Sequence, residues 1–469
     1  VHLVGHAPPV RAGRARRGAG RKQHVDDGAA GVDMLFPSGT PARVPIVSIT
    51  GTNGKTTTTR LVAHLLGATG LTVGMTSTDG ITVGGELVST GDTTGPGSAG
   101  VVLFDPTVDV AVLETAREGI VRRGLGYDWS DVGILTNVEA DHLGQDGIES
   151  IDDILRIKMV VAERVREGGT LILNAEDPRL AALPAHRRIA KLDRTIVFFA
   201  LDPQNEVLAR HLAAGGRGYT LRGDWLVECE GTTERPIEQA AHLPITLGGA
   251  ARFQIANALA AVAAARAQGL ALETIAPALR SFGAGASNPG RSNLYRLGDR
   301  YVLLDYGHNP GALRAICALA AQWRARPATA VLSLPGDRSD ELLEACAAEV
   351  ASPRFRRLIL KDDQDRRGRA VGEVPALIER VTSRLQPSLP CQLISDERIA
   401  IEHALATAEP RELVVIFTDQ TEPLGAWLRE QGAEPTDAVP ERVSGVWRIE
   451  AGEGGEAPGA GEAEPRMAG

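Results

Sequence analysis

Long apolar runs are missing from this sequence: no stretch approaches the roughly 18 to 20 residues needed to span a bilayer. The N-terminus also lacks an uninterrupted apolar h-region, which argues against a secretory signal. Cysteine is scarce. Cys229, Cys317, Cys346 and Cys391 are scattered and form no C-x-x-C pair, which excludes a disulfide framework and predicts reduced core thiols of a cytoplasmic protein. Positive charge is not in excess either. The formal net charge is -9, which argues against nucleic acid as the main partner. What is present is ordinary for a soluble globular protein: 469 residues, 43% hydrophobic and 23% charged, enough for two or three domains each with its own core.

Residues 1–40 read as a basic tail or linker in which Arg11, Arg14, Arg16, Arg17, Arg21 and Lys22 crowd together. A solvated extension is the plainer account of that cluster than a polyanion-binding arm. Residues 447–469 are mostly Gly, Glu, Ala and Pro and bury too little apolar area to offset their ordering entropy. Between these ends, short β-branched runs alternate with Ala/Leu-rich helical stretches. Strands are expected at Val44 to Thr50, Val108 to Leu113, Val132 to Asn137 and Thr170 to Asn174, and helices at Thr56 to Thr69, Ile154 to Val165 and Gln254 to Gln268. A second series follows Arg291, with strands at Tyr301 to Asp305, Ala330 to Leu334, Arg357 to Leu360 and Glu412 to Phe417. The pattern predicts an α/β protein: a parallel-sheet central domain over 41–290 and a smaller Rossmann-like α/β domain over 291–446, with a nucleotide at the strand ends.

The segment Ile46-Val47-Ser48-Ile49-Thr50 leads straight into Gly51-Thr52-Asn53-Gly54-Lys55-Thr56-Thr57, and a helix follows. That setting suits a phosphate: backbone N–H groups and a helix N-terminus face the anion and a lysine adds a point charge. Lys55 would reach the β and γ phosphates of ATP, and the Thr56 hydroxyl would ligate Mg²⁺. The strict P-loop pattern places a glycine five positions before Gly54, where this chain has Ile49.

The compressed loop resembles that of the Mur ligase family, which includes murein peptide ligases and folylpolyglutamate synthetases. The resemblance implies a P-loop central ATP-binding domain followed by a Rossmann-like domain, and it implies roles for other residues. Glu114, at the end of Val110-Ala111-Val112-Leu113, and His142, in Asn137-Val138-Glu139-Ala140-Asp141-His142, would bind the catalytic magnesium. Lys158 would be carbamylated by CO₂ and hold a second Mg²⁺; a solvated helix lysine is its bland alternative. Asn257 would contact adenine, and Arg291 would grip phosphate as a bidentate donor. Asp305 would contact the nucleotide, and His308 would lie over the cleft, both within Asp305-Tyr306-Gly307-His308-Asn309-Pro310.

Several further segments resemble one branch of the family, the C-terminal half of the cyanophycin synthetases: Asp33 to Pro37, Thr76 to Asp79, Gly91 to Pro96, Leu113 to Arg117, Pro335 to Arg338 and Lys361 to Arg369. That likeness implies ligation of arginine, through its α-amino group, to the β-carboxylate of an aspartate-terminated peptide or polymer. Asp337, Asp340, Asp362, Asp363 and Asp365 are then candidates to receive the guanidinium. One departure is Glu118, where the branch has Gly, and its carboxylate would repel an acidic substrate unless turned away. The ATP-grasp half of that branch is not expected here, and a homo-oligomer stays open. Two alternatives remain: a murein-precursor or folate ligase, although no UDP-sugar domain is expected ahead of the loop, and an inactive nucleotide-binding remnant.

Overall fold

The structure, a computed structural model, describes residues 43–439 except 142, 284, 286, 324–327 and 353. The expected tails 1–40 and 447–469, with the basic cluster, lie outside the described residues. Contacts separate the chain at Val44/Pro45, and everything below belongs to the unit that starts at Pro45.

The first sheet contains β1 (Ile46–Thr50), β2 (Val73–Thr76), β3 (Gly80–Val83), β4 (Glu86–Thr90), β5 (Val110–Glu114) and β6 (Ser130–Leu135). It continues with β7 (Val165–Asn174), β8 (Thr195–Ala200), β9 (Arg217–Arg222), β10 (Trp225–Glu230) and β11 (Thr233–Gln239). The spatial order is β11-β10-β9-β8-β7-β6-β1-β5-β2-β3-β4. From β9 to β2 the pairing is parallel, as β-α-β alternation predicts. Both margins are antiparallel, which the alternation did not foretell. Two-residue turns make them: Gly84-Gly85 between β3 and β4, and Gly223-Asp224 between β9 and β10. The φ angles of +57° at Gly84, +87° at Gly85 and +59° at Gly223 suit the tight hairpins that such pairs favour.

β1 is buried at every position, because helices cover the sheet. The helix Lys55–Gly67 packs against the alanine-rich helix Arg252–Ala267, whose small side chains let the two backbones approach. Leu61 and Leu65 are fully buried there, each contributing about 1.5–3 kcal/mol of burial.

The second sheet contains β12 (Asn293–Leu297), β13 (Arg300–Asp305), β14 (Ala328–Leu332), β15 (Phe355–Leu360), β16 (Cys391–Leu393), β17 (Leu413–Phe417) and β18 (Glu434–Pro435). Its order is β16-β15-β14-β17-β13-β12-β18. β13, β17, β14, β15 and β16 run parallel, so Asp305 ends a strand and Pro335 to Arg338, Asp362, Asp363 and Asp419 follow the carboxyl ends of strands. No helix among the described residues is long and apolar enough to cross a membrane.

Candidate active site

β1 lies between β5 and β6, where the strand order reverses direction, and open α/β sheets bind ligands outside the carboxyl ends at such a point. The chain there must leave a buried strand and start a helix within four residues, and Gly54 makes this possible. Its φ is +85°, it caps the helix Lys55–Gly67, and a Cβ on it would lie 2.3 Å from Asn257 Oδ1. The loop is braced from behind. Thr136 Oγ1 donates to the Asn53 carbonyl at 2.6 Å, and the Asn53 N–H donates to Asn137 Oδ1 at 2.8 Å.

A cleft of ≈ 790 Å³ opens in front of this loop. Gly51 to Thr57, Glu114, Lys158, Asn257, Arg291, Asp305 and His308 all line it. His142 lies outside the described residues. The structure therefore brings the other expected site residues into one space, although they span both sheets.

Thr56 Oγ1 donates to Glu114 Oε1 at 3.1 Å, and the Thr78 N–H lies 3.4 Å from Glu114 Oε2. Burial pushes the Glu114 carboxyl above its usual range, and Lys55 and Arg291 pull it back. Arg291 reaches across from the second sheet: one guanidinium nitrogen lies 3.3 Å from Thr56 Oγ1 and 3.2 Å from Thr78 Oγ1. The same guanidinium sits 4.6 Å from the centre of the Tyr306 ring. Arg60, on the loop's own helix, anchors this junction by donating to Asn288 Oδ1 at 3.2 Å and to the Pro289 carbonyl at 3.0 Å. Thr57 faces the junction too, accepting from Asn288 Nδ2 at 3.2 Å.

Two lysines meet the loop. Lys55 Nζ donates to the Thr52 carbonyl at 2.9 Å, and burial lowers its pKa against the opposing pull of Glu114. Lys158 is not a solvated helix lysine. It is buried in the helix Ile151–Glu163, and Nζ donates to the Gly51 carbonyl at 2.5 Å. Burial first, then the nearby charge of Lys55, lowers its pKa well below the ordinary lysine value.

Asn257 sits in the second turn of its helix, with Nδ2 donating to Gln254 Oε1 at 3.0 Å. Asp305 is buried, and its oxygens accept from the Ser292 N–H at 2.8 Å, the Ser292 hydroxyl at 2.9 Å and the Gly307 N–H at 2.7 Å. Ser292 pays for that anchorage with a left-handed φ of +57° directly beside Arg291. His308 Nδ1 lies 3.0 Å from the Tyr306 carbonyl.

Hard oxygens suit a magnesium ion, which needs only one or two protein donors when phosphate and water complete its shell. Thr56 and Glu114 provide two such donors side by side. Among the described residues, no group of three or more His, Cys, Asp or Glu side chains gathers for a metal.

The acidic candidates divide. Asp337 binds Arg338 at 2.7 Å and Arg367 at 2.8 Å, and Asp340 binds Arg369 at 2.8 Å. Asp362 accepts from the Gly372 N–H at 2.9 Å, and Asp365 from the Arg367 N–H at 3.0 Å. Asp337 and Asp340 are thus held by ion pairs, and Asp362 and Asp365 by backbone N–H groups. Asp363 accepts from the Gln364 N–H, and burial followed by the charge of Asp419 pushes its pKa up. Glu118 turns to Arg117, 3.3 Å away. Sequence reasoning passed over Thr78 and Asn309 as site residues, although both stood in motifs it singled out.

Residues 49–265 match the Mur ligase middle domain and residues 290–418 the Mur ligase, glutamate ligase domain. Solved structures share the fold. Folylpolyglutamate synthase of Mycobacterium tuberculosis, complexed with ADP and AMPPCP, aligns with a TM-score of 0.61 at 19% identity, covering 88% of this chain and 98% of that one. A pseudomurein peptide ligase type C of Methanothermus fervidus aligns with a TM-score of 0.58 at 19% identity, covering 83% and 79%. The chain belongs to the Mur ligase family, whose middle and C-terminal domains it carries. Its sequence is similar to cyanophycin synthetases: 44% identical over 390 residues to that of Synechocystis sp. and 45% over 389 to that of Crocosphaera subtropica. Those alignments take in 83% of this chain but 44% of each relative, so the chain spans less than half of their length. A UDP-N-acetylmuramoyl-L-alanyl-D-glutamate–2,6-diaminopimelate ligase of Bacillus cereus is 26% identical over 385 residues, covering 80% of this chain and 72% of that one.

Proposed function

We propose that this chain is an ATP-dependent amide ligase that activates a peptide carboxylate as an acyl phosphate and joins an amino acid to it. The observation that carries the reading is the meeting of Thr56, Glu114 and Arg291 in front of Lys55, at the mouth of a phosphate loop. The substrate carboxylate attacks the γ-phosphate of ATP and ADP leaves; the incoming amine attacks the acyl carbon and inorganic phosphate leaves. Lys55 and Arg291 spread the charge of the transferring phosphoryl group, the main task in such a step. Thr56 and Glu114, with His142, would hold Mg²⁺, which supplies further positive charge to the phosphate oxygens. The depressed pKa of Lys158 favours the neutral amine that carbamylation by CO₂ requires, so Lys158 is proposed as the carbamylated residue. Asn257 serves the adenine, and Asp305 and His308 close the cleft from the second domain and limit water.

The amino acid is arginine and the acceptor an aspartate β-carboxylate, as in cyanophycin or a β-Asp-Arg peptide. The likeness to cyanophycin synthetases supports this, and the partly buried carboxylate of Asp363 is the candidate partner of the guanidinium. An ADP-release assay with an aspartate-terminated β-Asp-Arg primer tests it, using arginine, lysine or no amino acid. Arginine-dependent release is expected. Release with lysine alone would overturn the specificity, and no release with any amino acid would overturn the ligase reading.

A further inference from the structure

A reciprocal amide pair, besides the Arg291–Thr56 contact, joins the second domain directly to the phosphate loop. Asn53 Nδ2 donates to Asn309 Oδ1 at 3.1 Å, and Asn309 Nδ2 donates back to Asn53 Oδ1 at 2.9 Å. Asn53 Nδ2 also donates to Glu139 Oε2 at 3.2 Å. Asn309 is 2% exposed and caps the helix Pro310–Ala320 by accepting from the Ala312 N–H at 2.9 Å. The first turn of that helix sits hard against Glu139. A Cβ on Gly311 would lie 1.5 Å from Glu139 Oε2, so any larger residue would have to swing the carboxylate off Asn53.

We propose that Asn309 and Gly311 are positioning residues for the ligation step: they fix the phosphate loop through Asn53 and tie its geometry to the seating of the second domain. Neither residue needs to touch the reacting atoms. A reciprocal amide pair closes only when both planes are aligned, so it reports domain position far more sharply than a single bond. The same seating carries His308 and Arg291 to the cleft. Loss of the pair should therefore loosen the loop and the domain together, leave nucleotide affinity nearly intact, and let water compete for the acyl phosphate.

The inference rests on the ligase reading, and Asn309→Ser separates the two. Serine keeps the helix cap but cannot return the amide bond to Asn53. Expected results are a melting temperature close to wild type, affinity for a non-hydrolysable ATP analogue within about threefold, and ligation turnover lower by about tenfold, the effect of losing two modest hydrogen bonds. More ADP should be released per amide formed. Gly311→Ala should show the same uncoupling, because it moves the Glu139 carboxylate off Asn53. Wild-type turnover and coupling in Asn309→Ser would overturn the proposal, as would a parallel fall of analogue affinity and melting temperature, which marks a purely structural role. Hydrogen exchange at the amides of residues 51–57 gives a reading independent of any amino acid. If the wild type forms no amide, the ligase reading fails, but Asn309→Ser must still raise exchange there; unchanged exchange overturns the positioning role.

Discussion

Thr56 Oγ1 donates to Glu114 Oε1 across a gap of 58 positions in the chain. This bond sets two hard oxygens beside the phosphate loop. Glu114→Gln keeps the shape and removes the charge. ATP-dependent turnover is expected to fall by at least about 100-fold, in line with loss of a charge-stabilising group, and the Mg²⁺ concentration for half-maximal rate to rise. A Mg²⁺ titration of ADP release checks this, and an unchanged midpoint would remove Glu114 from the metal's shell.

Lys55→Ala deletes the point charge at the loop. Ligation should become undetectable, while the fold is retained because Lys55 bonds to the carbonyl of Thr52, three residues away in its own loop. Circular dichroism alongside the ADP assay decides the matter; retained turnover would refute the loop's role.

Lys158 predicts a pH dependence of stability. Its folded-state pKa lies well below the ordinary value of 10.5, so between the two values the unfolded chain holds a proton that the folded protein lacks. Stability therefore rises with pH across that window. Lys158→Met should flatten the rise and increase the melting temperature at neutral pH by about one degree for each kcal/mol gained, the scaling for a protein of this size. Thermal melts at a series of pH values are the check, and an equally steep rise in the variant would count against a neutral Lys158.

Asp363→Asn should raise the KM for arginine by about tenfold while sparing the KM for ATP, because a desolvated charge pair is lost. Asp337→Asn should act differently. Asp337 already holds Arg338 and Arg367, so its removal should loosen that edge of the cleft and lower kcat as well. Steady-state kinetics in both substrates separate the two outcomes.

Far from the cleft, Glu228 is fully buried and accepts from Arg266 at 2.7 Å, Tyr219 at 2.8 Å and Arg235 at 3.0 Å. Burial pushes its pKa up, but the bonds from Arg266 and Tyr219 outweigh it and the net shift is downward. Arg266→Met strands the charge and should cost about 3 kcal/mol. Denaturant unfolding measures this, and a cost near zero would show that Arg235 and Tyr219 satisfy Glu228 without Arg266.

Much of the fold was legible. β1, β5, β6 and β13 are short, mostly buried apolar runs, and the expected bounds fall within a few residues of those observed. The antiparallel margins were harder to see, although Gly84-Gly85 and Gly223-Asp224 marked their turns. In β4 all five positions are exposed, so no apolar alternation betrays the strand.

The sequence by itself determined the phosphate loop and its family, because a strand, a glycine turn and a helix start are local: each is set by neighbours in the chain. Only the tertiary structure decided what each acidic side chain meets. Asp337, Asp340, Asp362, Asp363 and Asp365 look alike in one dimension, and the partner each one meets is fixed by packing. The same holds for Asn53 and Asn309, whose pairing across 256 positions depends on how the two sheets are seated. Long-range contacts of this kind follow from burial and loop closure across the whole chain, and no local pattern encodes them.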